Sequence, residues 1–141
     1  MKSGKFWLAV LVAGVVMNIL DAIVYGMWLE GAYFKQNTVL FAQDTSMAWY
    51  VIGDFIAVFV FAWIFTRVSG SFGSTVQDGA KAGLYLGIFA NFPLWIFMHM
   101  MFNGFPYSLS WISTIYGVIW YVIAGAVVAA MMKKKEAAPA A

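Results

Sequence analysis

The chain has 141 residues, 64% of them hydrophobic and 10% charged, with a mean hydropathy of +0.84 and a formal net charge of +2. Soluble domains are about 45–50% apolar and about 25% charged, so a globule of this size in water could not cover so much apolar surface, and lipid is the expected solvent for much of it. The small net charge gives no reason to expect nucleic acid as a partner, and the lack of cysteine removes disulfides, thiolate metal sites and cysteine nucleophiles together.

A helix needs roughly 20 apolar residues to cross a hydrocarbon core of about 30 Å. Four segments qualify: residues 6–28, 48–68, 82–102 and 111–132. The long apolar runs lack the period-two alternation of membrane strands. The predicted fold is therefore all-α, one transmembrane domain over residues 1–135 built as an antiparallel four-helix bundle. Residues 136–141 are expected to be a disordered tail.

Span one follows Lys2 and Lys5, which suits a signal peptide. Its apolar run is longer than a signal core, however, and Asn18 and Asp21 interrupt it where a small-residue cleavage site should follow. It is expected to stay as a helix. The first connection, residues 29–47, carries Glu30, Lys35, Gln36, Asn37, Gln43 and Asp44. The second contains Ser69-Gly70-Ser71-Phe72-Gly73-Ser74, a loop composition. The third is Asn103-Gly104-Phe105-Pro106-Tyr107, a tight-turn signal.

Of the eight basic residues, Lys2, Lys5, Arg67, Lys81, Lys133, Lys134 and Lys135 fall on one side of this topology, and Lys35 falls on the other. Lysine and arginine concentrate on the cytoplasmic side, so both termini are predicted to be cytoplasmic. Trp7, Trp28, Tyr33, Trp49, Tyr50, Tyr107 and Trp111 lie near predicted span ends, the level amphipathic rings prefer.

Apolar side chains gain nothing by leaving lipid for a neighbouring helix, so close backbone approach and polar contacts must drive association. Span three has Gly79, Gly83, Gly87 and Asn91 at intervals of four, and span four has Ser113, Gly117, Tyr121, Gly125 and Ala129 at the same interval. Gly83, Gly87, Gly117 and Gly125 are the expected packing positions of an antiparallel pair. Val10 is expected to face lipid. Pro93 frees a carbonyl in span three and predicts a kink.

The residues that do not belong in lipid are Asn18, Asp21 and Tyr25 on span one, Asp54 on span two, Asn91 and His99 on span three, and Ser113, Thr114 and Tyr116 on span four. An ionisable side chain at mid-membrane costs at least about 2.5–3.5 kcal/mol on insertion scales, so such groups face protein or water. At ~1.5 Å per residue, Asp21 and Asp54 both lie about 10 Å inside the outer ends of their spans. All but Asn18 and Asn91 occupy the outer half. Asn18, Asp21, Tyr25 and Trp28 share a helical face by spacing, as do Asn91, Trp95 and His99.

Three roles stand open for this candidate polar cluster: a hydrogen-bonded knot that holds the helices together, a pocket for a small ligand or proton, or plain solvation in the outer leaflet. No His-x-x-x-His or Glu-x-x-His pair suggests a metal, and adjacent helical residues diverge too much for His99 and its methionine neighbours to share a soft metal site. Neither a metal nor another cofactor is expected. No Gly-x-Ser-x-Gly elbow, phosphate loop or His-Glu-x-x-His motif is present, and the expectation is a protein without enzymatic activity.

The run Gly14-Val15-Val16-Met17-Asn18-Ile19-Leu20-Asp21 resembles the first helix of small bacterial four-helix inner-membrane proteins of unknown function. Ala80-Lys81-Ala82-Gly83-Leu84, and Trp111, Tyr116-Gly117-Val118 and Ala124-Gly125, extend that resemblance to spans three and four. It implies the four-helix architecture and a multi-pass place in the inner membrane, and no substrate. The bilayer is the expected partner, with a homo-oligomer or a larger membrane complex as further possibilities. Rival functions are an accessory subunit of such a complex, near a pigment or haem, a small oligomeric transporter or channel, and a membrane enzyme using Asp21, Asp54 and His99.

Overall fold

The computed structural model describes residues 4–41 and 46–132. Lys2, Lys133, Lys134, Lys135 and the tail predicted from residue 136 onward lie outside them. The described chain forms α1 (Gly4–Asp21), which runs directly into a π-helical segment (Ala22–Phe34), then α2 (Met47–Phe72), α3 (Val76–Met101) and α4 (Tyr107–Met132). Each of the four helical stretches is long and apolar enough to cross a membrane.

The helices run further than hydropathy indicated. Leu29–Phe34, read from its polar neighbours as the start of a loop, is helical because its apolar members find a partner. Leu29 is fully buried with Phe105 and Leu109, and Tyr33 and Phe34 pack against that cluster. Ser69–Phe72, read as loop, completes α2. The helix ends only at Gly73, whose φ of +95° is readily available to glycine and whose N–H donates to the Ser69 carbonyl at 2.9 Å. α3 starts six residues before the predicted span. The Asp78 N–H donates to Thr75 Oγ1 at 3.2 Å and the Thr75 N–H to Asp78 Oδ2 at 3.0 Å, a reciprocal capping box. α3 then continues as helix through Pro93.

The most extensive contact in the fold is between α3 and α4. Cβ atoms built on Gly79 and Gly83 would strike the carbonyls of Gly125 and Tyr121, and one on Gly87 would sit 3.0 Å from Val118 Cα. One on Gly117 would strike the Asn91 amide. Position numbers rise along α3 as they fall along α4, so the pair is antiparallel with backbone against backbone.

α1 packs on both α2 and α4, while α2 makes few contacts with α3 or α4. The main core joins Phe6, Val10, Ala13 and Met17 of α1 to Val58, Phe61, Ala62 and Phe65 of α2 and to Trp120, Ala124 and Val128 of α4. Val10, expected to face lipid, is 7% exposed and belongs to this core, whereas Val15 is 46% exposed. The Phe55 ring lies where a side chain on Gly14 would go, so glycine sets the α1–α2 distance here as it does between α3 and α4.

Candidate polar site between α1, α2 and α4

Asp21 is the last residue of α1 and is half-buried. The Tyr116 hydroxyl donates a hydrogen bond to Asp21 Oδ1, linking α1 to α4 across 95 residues of sequence. Asp54, half-buried on α2, lies in side-chain interaction range of the Asp21 carboxyl, and the Trp120 side chain supplies a further donor beside it. Three helices thus meet at one carboxyl group. Among the described residues, the groups acting on the two carboxyls include each other, Tyr116, Trp120 and Tyr25, with no basic side chain among them.

Tyr25 stands one turn further along, in the π-helical segment, and its ring meets that of Tyr116 edge to face at 5.4 Å. Its hydroxyl interacts with the carboxyls of Asp21 and Asp54 and faces the side chain of Ser113. In α4, Ser110, Ser113 and Thr114 are buried. Thr114 Oγ1 donates to the Ser110 carbonyl at 2.7 Å, the usual way a hydroxyl is satisfied inside a helix. Ser110 Oγ and Ser113 Oγ, both in fully buried residues, have no hydrogen-bond partner.

The remaining predicted residues lie elsewhere. Asn18 Nδ2 donates to the Gly14 carbonyl at 2.9 Å, within its own helix. Asn91 Nδ2 likewise donates to the Gly87 carbonyl at 3.0 Å, and its amide rests against Gly117 in the α3–α4 contact. His99 is exposed near the end of α3, where Nδ1 donates to the Phe105 carbonyl at 2.9 Å and the ring packs 4.9 Å from Tyr107. It acts as a clasp on the α3–α4 turn and takes no part in the carboxyl pair. Trp28, placed on the Asp21 face by its spacing, is 55% exposed. The wider turn of the π segment puts Leu29 on that face instead.

Sequence reasoning passed over Ser110 and Trp120. Both were within reach of it: Trp120 follows Tyr116 by four residues and Ser110 precedes Ser113 by three, so each shares a helical face with a residue already singled out. Among the described residues no three His, Cys, Asp or Glu side chains converge as metal ligands. A groove of about 340 Å³ lined by Phe65, Ser69, Ser74, Ala129 and Met132 opens at the opposite end of α2 from Asp54. No family model, curated protein or solved structure matches this chain.

Proposed function

We propose that this chain is a non-enzymatic multi-pass protein of the bacterial inner membrane, with both termini cytoplasmic, whose carboxyl-centred cluster holds α1, α2 and α4 together and serves as its binding centre for a small ligand or proton. The observation that carries this reading is the Tyr116–Asp21 hydrogen bond with Asp54 alongside. In lipid, where apolar packing gains little, a polar contact between helices is a main source of association.

The seven-to-one placement of basic residues supports the orientation. Lys35, the exception, is ion-paired with Glu30 at 3.1 Å. The resemblance carried by Asn18 and Asp21 supports the choice of membrane. A reporter active only in the periplasm, fused after Ala141, is expected to stay silent. A strong signal would reverse the orientation.

A double-mutant cycle tests the cluster. Asp21→Asn, Tyr116→Phe and the pair are compared for thermal stability in mild detergent. A favourable coupling of about 0.6–1.7 kcal/mol is expected, the range of interhelical hydrogen bonds in membranes. Strict additivity of the two single changes would remove the structural role.

A further inference from the structure

We propose that Asp21 and Asp54 form a carboxyl pair that binds one exchangeable proton, reached between the π-helical segment and α4 past the hydroxyls of Tyr25, Ser113 and Ser110. The inference rests on the membrane-spanning reading and gives the cluster its ligand.

The argument begins with charge. Two carboxyl groups share one spot between three helices, and every group acting on them from α1, α2 and α4 is a carboxyl, a phenol or an indole. α3 contributes no group to that set. Two ionised carboxylates side by side, with no basic side chain among the groups acting on them, repel each other. A single proton lets one carboxyl donate to the other, and the pair then carries one negative charge in place of two. That charge has donors waiting in the Tyr116 hydroxyl and the Trp120 side chain.

The second observation is independent of the carboxyls. Ser113 Oγ and Ser110 Oγ are fully buried and unpartnered, although Thr114 beside them makes the ordinary bond back to its own helix. Ser113 lies near the Tyr25 hydroxyl without hydrogen-bonding to it, and that hydroxyl in turn interacts with Asp21 and Asp54. Ser110 and Ser113, three residues apart, lie on one face of α4 and extend the line toward the end of the helix nearest Tyr107. Hydroxyls both donate and accept, so with intervening water such a line can relay a proton. In uptake, an O–H bond of a hydrated proton outside breaks and an O–H bond forms on a carboxylate oxygen of the pair. Release reverses both. A metal ion fits less well, since no third ligand of the usual types joins the two carboxyls among the described residues.

The test is infrared difference spectroscopy on the full chain in liposomes. The wild type is expected to show a protonated-carboxyl C=O band at neutral pH that fades on alkaline titration and shifts in heavy water. Asp21→Asn/Asp54→Asn, which keeps hydrogen-bonding groups at both positions, should lose the band. Ser113→Val should keep it and slow its decay several-fold after a pH jump. No band in the wild type, or a band that survives in the double variant, overturns the proton site. A band that sodium ions erase at constant pH assigns the pair to sodium and overturns the proton reading too. An unchanged decay rate in Ser113→Val overturns the route. Alkaline carbonate extraction of the same membranes reports separately on the membrane reading: protein released from the bilayer sinks that reading whatever the spectrum shows.

Discussion

The α3–α4 contact and the meeting point of α1, α2 and α4 solve one problem in opposite ways. Between α3 and α4 the side chains have been removed. Gly79, Gly83, Gly87 and Gly125 bring backbone to backbone, and the attraction is summed dispersion over a long, closely fitted surface. Where α1, α2 and α4 meet, side chains do the joining: Asp21 receives Tyr116 and sits beside Asp54. The first contact is spread over many residues, none of them chemically special. The second is concentrated in a few groups whose protonation can change. One is suited to permanence and the other to response.

The comparison is broken most severely by Gly83→Leu. Its Cβ would meet the Tyr121 carbonyl, and backbone cannot step aside as a side-chain tip can. A loss of about 3 kcal/mol, at the upper end for overpacking, is expected from unfolding in detergent. Stability equal to wild type would mean that the two helices do not touch there.

Asp21→Leu comes next. It leaves the Tyr116 hydroxyl without its acceptor, at a cost of about 1–3 kcal/mol, whereas Asp21→Asn retains an acceptor and should cost visibly less. Thermal denaturation of both variants checks the order, and equal losses would show that bulk, not hydrogen bonding, matters at this position.

Gly14→Ala sharpens the contrast. Its obstacle is the Phe55 ring, a side chain that can turn, so a cost nearer 1 kcal/mol is expected, the lower end for overpacking. A penalty as large as that of Gly83→Leu would show that Phe55 is as fixed as backbone.

The smallest effect is expected for Val15→Leu, on the lipid-facing side of α1, within about 0.5 kcal/mol of wild type in the same assay. A large loss would reveal an unseen partner on that face.

Much of the α3–α4 contact was legible in the sequence because small residues recur there at the period of the helix. The four spans were legible from hydropathy alone. The polar site was only partly so. Depth brought Asp21, Asp54 and Tyr116 to one level, but depth cannot say which way a side chain turns. His99 shares that level and spends its Nδ1 on the Phe105 carbonyl. Asn18 shares a face with Asp21 and spends its amide on its own helix. The π-helical stretch was not legible at all. It changes the angular period after Asp21, so a stripe counted at 3.6 residues per turn reached Trp28 when the buried residue is Leu29. Val10 and Val15 are identical in type, and only the packed structure tells core from lipid.

α2 and α3 each span 26 residues, about 39 Å at ~1.5 Å per residue, against a hydrocarbon core of about 30 Å. The excess of about 9 Å matches the polar last turns of α2, from Arg67 to Phe72, and the polar first turns of α3, from Val76 to Lys81. The bilayer therefore does not have to thicken, nor these helices to tilt, to accommodate their length. Across a hydrocarbon core of about 30 Å, this length would bring the α2–α3 hairpin to headgroup level. Arg67, stacked 4.9 Å from the Trp63 ring, and exposed Lys81 belong to those turns. Both basic residues of this hairpin thus sit at one end of the molecule, far along the helices from the carboxyl pair.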